Sequence, residues 1–329
     1  MLDQFINVAP IYQQVLNLPD APLEYHRLRN AVGNLKGLNV LDLACGIGNS
    51  TQNLLDWGAA RVVGVDISEA MLSQTRKIVT SSRATFIRAD CSSPTPLNLA
   101  EGPFDLVHAA WLLDYAADRQ QMAAMWRMIA INLKPGGRFV GMVPNPDFNF
   151  DDPSFKQYGA SYVRCEAVKD GYRMLCTAYT DPPLAAYAYL LNRDIYSSCA
   201  YAAGMRQFQF DDVDVTEDVP GSGTDYWDTY LRNPRTAVCR AIRQGSKQTV
   251  AKTAMLRDEA PFLRRSQRNR NFKTKKNNQV PLVQQVPGKG VAKARSRGIH
   301  ASKKRKDVKP AVGKSRTKTG ELAPECTQH

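Results

Sequence analysis

Between residues 39 and 143 the chain alternates between two hydrophobic periods. Apolar runs at 39–43, 61–66, 84–89, 104–110 and 138–143 are short and rich in Val, Leu and Ile, the pattern of strands buried on both faces. The segments between them carry apolar residues at three- and four-residue spacing instead. The clearest is Met122, Met125, Trp126, Ile129 and Leu133, a single helical stripe between Asp118 and Leu133 that reads as core. Gly58 is placed to close the helix that runs to Trp57, and Ser68 is placed to open the next. Residues 1–38 read as two helices interrupted by Pro10 and Pro19: one carries Phe5, Ile6, Val8, Ile11, Tyr12 and Val15, and the other spans 23–32. Strands alternating with helices predict an α/β fold with a mainly parallel sheet.

The first strand ends in a turn whose chemistry stands out. Asn39–Thr51, NVLDLACGIGNST, runs from an apolar strand through Gly46-Ile47-Gly48 into Asn49, Ser50 and Thr51, which suit the opening of a helix. Glycine lets a ligand approach main chain with no Cβ in the way, and the helix start offers N–H groups to an anion. Asp66 ends the next strand 20 residues after Gly46, where a carboxylate can accept both hydroxyls of a ribose. A dinucleotide fingerprint would want a third glycine where Thr51 stands. Asp42 would repel a pyrophosphate but suits the ammonium of an amino-acid ligand, directly or through water. These features favour S-adenosylmethionine over a dinucleotide.

VLDLACGIGNST followed by ARVVGVDISEAM resembles motifs I and II of class I S-adenosylmethionine-dependent methyltransferases, and GPFDLVHAAWLLDYA and INLKPGGRFVGMV resemble later motifs of that family. The resemblance covers roughly residues 5–243 and points to the small-molecule, natural-product branch, with YWDTYLRNP (226–234) similar to a C-terminal element of such members. It implies a Rossmann-like seven-stranded sheet whose antiparallel edge pair would be 208–215 and 237–242, with a helix over 192–203 before it. It also implies a cofactor site of Tyr12, Asp42, Ala44, Gly46, Gly48, Asp66, Ile67, Met71, Asp90, Cys91 and Ala109. Ile67 and Met71 would sandwich the adenine, Asp90 would accept from its amino group and the Cys91 N–H would reach N1. Ala109 and Ala110 would leave room for the sulfonium. If the nucleophile needs a base, the candidates are His26, His108, Asp114 and Tyr115. Residues 145–191 read as a strand-rich insertion over the acceptor pocket, with Tyr158, Tyr162, Tyr179, Tyr187 and Tyr189 as specificity candidates.

Charge divides the chain into two parts. Residues 246–329 hold 22 Lys and Arg against 5 Asp and Glu, so residues 1–245, the methyltransferase domain, hold 22 against 26. The net +13 therefore belongs to a basic tail, predicted disordered, and a nucleic-acid groove in the folded part is not indicated. Lys303-Lys304-Arg305-Lys306 is a candidate nuclear-import or polyanion signal, otherwise a solvated tail. The seven cysteines have no C-x-x-C spacing, so no metal site is expected. No apolar run of membrane length and no signal-type leader is read, which predicts an intracellular, cytoplasmic protein. The leading expectation is a methyltransferase acting on a small O, N or carboxylate acceptor, in secondary-metabolite biosynthesis. The alternatives are a macromolecular methyltransferase docking RNA or chromatin through the tail, and a methyltransferase-like regulator without activity.

Overall fold

The computed structural model describes residue 9 and residues 11–245, without the side chains of 153–155. The tail, the Lys303–Lys306 signal and the Phe5–Val8 part of the first predicted helix lie outside the described residues. Among the described residues there are ten strands: β1 (Asn39–Leu43), β2 (Arg61–Asp66), β3 (Ala84–Arg88), β4 (Phe104–Ala110), β5 (Leu133–Pro144), β6 (Ala160–Val168), β7 (Gly171–Ala178), β8 (Leu184–Leu191), β9 (Met205–Phe210) and β10 (Thr236–Arg243). Six helices accompany them: α1 (Ala21–Val32), α2 (Asn49–Asp56), α3 (Glu69–Ile78), α4 (Arg119–Asn132), α5 (Arg193–Ala202) and α6 (Asp228–Arg232). A 3-10 helix, Tyr12–Asn17, precedes α1.

Seven strands form one sheet in the order β3-β2-β1-β4-β5-β10-β9. The pairings among β1–β5 are parallel, and β10 pairs antiparallel with both β5 and β9. This is the class I methyltransferase sheet. The strand order reverses between β1 and β4, and a crevice opens outside the carboxyl ends of an open sheet at such a point.

Both sheet faces are buried, as the continuous apolar runs require. Leu41, Leu43, Val63, Val65, Val107 and Ala109 pack with the α4 and α5 side chains. Val40, Val62, Leu106 and Val140 pack on the other face against Ala31, Val32, Leu54 and Leu55 of α1 and α2. Trp126 of the α4 stripe is fully buried, with its ring 4.7 Å from Phe139. Burying each large apolar side chain contributes roughly 1.5–3 kcal/mol.

Three expected boundaries move. β5 begins at Leu133, which pairs with Phe104; a register shift then absorbs Pro135-Gly136-Gly137 before Arg138 pairs with Leu106. The α4 cap lies at Asp118, whose carboxylate accepts from the Gln121 N–H at 2.8 Å. β9 spans 205–210 rather than 208–215, ending where Asp211 turns its carboxylate to Arg240 at 2.8 Å and further aspartates at 212 and 214 disfavour strand.

The strand-rich insertion is a separate three-stranded antiparallel sheet, β6-β7-β8. Its inner side meets Tyr158, which stacks on Trp227 at 5.4 Å and donates to the Tyr226 carbonyl at 2.6 Å. Buried Arg235 ties three elements together: it donates to Asp20, to Glu24 at 2.9 Å and to the Tyr162 hydroxyl at 3.1 Å. Removing one partner of such a buried ionic cluster would strand the others, so it fixes α1 against β10 and β6.

Candidate active site

Two cavities lie at the carboxyl edge of the sheet. The first, of about 360 Å³, is lined by Tyr12, Ala44, Gly46, Asp66, Ile67, Met71, Asp90, Cys91 and Tyr115, all expected from the sequence, together with Ala89, Ser92, Ala110, Trp111, Leu112, Gln121 and Met125. The second, of about 150 Å³, reaches between α1 and α2 past Glu24, Tyr25, Asn49, Ser50, Asn53, Trp57 and His108. Tyr12, Ala44, Gly46, Ala110 and Trp111 line both, so the two cavities adjoin at the switch point as lobes of one cleft region.

The turn geometry at this shared wall is unusual. Ala44 and Trp111 have positive φ, 55° and 62°, and only Gln207 among the other described non-glycine residues does. Backbone strain of this kind gathers at ligand sites. Trp111 is held in place by its N–H, which donates to the Met142 carbonyl at 2.9 Å.

Asp66 sits at the end of β2, 8% exposed, with each carboxylate oxygen accepting one main-chain N–H: Oδ2 from Gly46 and Oδ1 from Ser68, both at 2.9 Å. A carboxylate offers about four lone-pair directions, so acceptor capacity remains for a diol. Burial raises its pKa, and the two N–H donors oppose that rise. Asp90 is exposed, with Oδ1 held by the N–H of Ser92 at 2.8 Å and its hydroxyl at 2.7 Å. Cys91 is buried, and its thiol is pushed up to about 12, which makes it a wall rather than a nucleophile.

Several expected residues support the cleft without lining it. Asp42 is 1% exposed; its Oδ2 accepts from the Thr51 hydroxyl at 2.6 Å and its Oδ1 lies 2.8 Å from His108 Nδ1. The carboxylate expected to meet an ammonium, directly or through water, accepts from Thr51 and lies against His108, and His108 is the member of the trio that lines the second cavity. Gly48 packs against α3, Ala109 points to the α4 face, and His26 packs edge-on against Tyr25. None of these three lines either cavity.

Asp114 lies on the 3-10 turn Leu113–Tyr115, buried and just behind Tyr115, and its Oδ1 has no hydrogen-bond partner. Desolvation pushes its pKa up to about 7. Burial, and after it the charge of Asp114, raises the hydroxyls of Tyr12 and Tyr115, which keeps both phenols protonated. Of the five tyrosines expected to set specificity from the insertion, none lines either cavity: Tyr158 and Tyr162 are buried in the second-sheet interface and Tyr179 is exposed.

Sequence reasoning missed Thr75, Gln121 and Glu24. Thr75 donates to the Gly46 carbonyl at 2.6 Å, and Gln121 and Met125 reach the first cavity from one face of α4 by i, i+4 spacing. Glu24 carried a weak signal, an acid in the first turn of α1.

Residues 40–137 match the family model described as a methyltransferase domain. This segment is a class I methyltransferase domain. The trans-aconitate 2-methyltransferase of Enterobacter sp. (strain 638) is 39% identical over 117 residues, 35% of this chain and 42% of that protein. The mRNA cap guanine-N(7) methyltransferase of Saccharomyces cerevisiae is 27% identical over 175 residues, 46% of this chain and 39% of that protein. The chain spans less than half the length of these curated relatives. A crystal structure of an S-adenosylmethionine-dependent methyltransferase from Mesorhizobium loti covers 67% of this chain and 98% of its own at 22% identity, with TM-score 0.49.

Proposed function

We propose that this chain binds S-adenosylmethionine across the two cavities and transfers its methyl group to a small-molecule acceptor. The observation that carries this reading is the buried Asp66 carboxylate, aimed by the Gly46 and Ser68 N–H groups at the floor of a cleft whose two lobes meet at Tyr12, Ala44, Gly46, Ala110 and Trp111. The donor set fits the group. Ile67 and Met71 supply an apolar slot, Asp90 and the Cys91 N–H an adenine edge, and Asp66 a diol acceptor. The α2 N-terminus at Asn49 and Ser50 suits a carboxylate, and Glu24 suits an ammonium, both in the second cavity.

When bound, the cofactor supplies a carbon already activated by a sulfonium. The protein's own contribution is to hold an acceptor in line with that carbon and to exclude water. The small shared wall at Ala44 and Ala110 leaves that space, and Tyr12, Trp111 and Tyr115 close it with aromatic surface.

A macromolecular acceptor is the second reading, favoured by the cap methyltransferase relative and by the charge of residues 246–329. One experiment addresses both. Calorimetric titration with S-adenosylmethionine should give one site per chain, and transfer of labelled methyl to a small-molecule panel should survive deletion of 246–329. Absence of donor binding overturns the first reading; labelled RNA with an unlabelled small-molecule panel supports the second.

A further inference from the structure

The charged side chains that line the cleft are all of one sign. Among the described residues, no Lys or Arg side chain lines either cavity, while Asp66, Asp90 and Glu24 do. Two more carboxylates, Asp42 and Asp114, lie directly behind the walls. Two guanidiniums act on Glu24: that of Arg235 is engaged by Asp20, Glu24 and Tyr162, and that of Arg27 donates through Nη1 to the Thr236 carbonyl and hydroxyl and lines neither cavity.

Four of these acids have partners or an assigned place. Asp66, Asp90 and Glu24 fit the ribose, adenine and ammonium of the donor, and Asp42 is held by Thr51 and His108. Asp114 remains, with a buried oxygen that has no partner. It precedes Tyr115 in the chain and lies within electrostatic range of both Tyr12 and Tyr115, which line the first cavity together with Trp111. A buried carboxylate behind three aromatic rings is how proteins favour a cation: the ring faces attract it and the carboxylate compensates its charge.

We propose that the acceptor is an amine, selected by Tyr12, Trp111 and Tyr115 with Asp114 as the positioning charge behind them. The inference rests on the methyl-transfer reading above. A carboxylate or phosphate acceptor would enter a cleft with carboxylates on its walls and no cation to meet it, a like-charge juxtaposition that selects against such partners. This separates the chain from the relative named for trans-aconitate, a tricarboxylate. In the step, the lone pair of an uncharged amine forms the N–C bond as the C–S bond breaks, with its electron pair left on sulfur. The positive charge moves to nitrogen beside Asp114, and the alkylated ammonium then loses a proton to water.

Two measurements on the full chain test it. In the first, at pH 8, where the Asp114 carboxyl is ionised, choline and its uncharged isostere 3,3-dimethylbutan-1-ol are titrated by calorimetry into protein saturated with S-adenosylhomocysteine. Choline should bind at least tenfold more tightly, and Asp114→Asn should remove most of that preference. Should Asp114→Asn fail to fold, Tyr115→Leu reads the same preference from the aromatic side. In the second, labelled methyl is offered to matched amines, alcohols and carboxylates, trans-aconitate included. Methylation of amines is expected. Equal binding of choline and the alcohol, or methylation of carboxylates or alcohols alone, overturns the inference. Donor binding is measured on the same sample, so its loss would strike the methyl-transfer reading and its retention would confine the failure to the amine assignment.

Discussion

His108 Nδ1 lies 2.8 Å from Asp42 Oδ1, and the two residues are register partners on the neighbouring parallel strands β4 and β1. Their side chains therefore leave the sheet on the same face, the one covered by α1 and α2. Thr51, in the first turn of α2, donates to the other oxygen of Asp42 at 2.6 Å. Three elements meet in a buried trio that fixes the glycine turn between them. Thr51→Val keeps the shape but removes a hydrogen bond to a buried carboxylate, a loss of about 1.5–3 kcal/mol. Urea denaturation should show the midpoint falling with the m-value unchanged; an unshifted midpoint would mean that the trio does not support the fold.

The two glycines of the turn have different duties. A Cβ on Gly46 would meet no atom within 4 Å, whereas one on Gly48 would come within 2.7 Å of Thr75 Cγ2 and 2.9 Å of Val79 Cγ2. Both have positive φ, 56° and 92°, so any side chain is strained at either position. Gly46→Ala should then fold with a loss of about 1 kcal/mol and bind S-adenosylmethionine weakly, because its methyl group enters the cleft. Gly48→Ala should instead lower the melting temperature sharply, since α3 must move. Thermal melts paired with donor titration separate the two, and equal behaviour of the variants would refute the division of labour.

Much of this site was legible in the sequence because strand ends are local events. A run of β-branched residues that stops at an acid or a glycine fixes where a strand ends, and the parallel order brings Gly46, Asp66 and Asp90 to one edge. What was not legible depends on which way a side chain turns after the backbone is set. Asp42 read as a ligand group, since nothing local shows that Thr51, nine residues on, and His108, 66 residues on, take its oxygens. The insertion tyrosines read as pocket residues because aromatic density marks both pockets and interfaces. Tyr158 instead fills the gap over Trp227, and Tyr162 is drawn to Arg235, a pairing across 73 residues. Glu24 joined the cleft only through the packing of α1, which no short motif encodes.

Asp66→Ala removes the carboxylate that would accept the ribose hydroxyls. The loss of hydrogen bonds to a charged group is about 1–3 kcal/mol, so affinity for S-adenosylmethionine should fall roughly 5- to 150-fold. Asp66→Asn keeps one oxygen and should fall by less. Unchanged calorimetric affinity in the alanine variant would refute the ribose assignment.

Asp114 gives the fold a pH dependence whose sign follows from its burial. In the folded chain the carboxyl holds its proton up to about pH 7, whereas in the unfolded chain it ionises near 3.9. Between these values the native state binds more protons than the unfolded state, so this group's contribution to stability falls as pH rises from about 4 to about 7. The pKa difference of about three units sets a ceiling of about 4 kcal/mol on that loss. Asp114→Asn cannot ionise and keeps the polar volume, so it should melt higher than the native chain at pH 8 while the two converge near pH 4. Melting curves for both proteins across that range check the prediction: parallel curves would show that Asp114 keeps an ordinary carboxyl pKa and would remove it as the buried charge behind Tyr115.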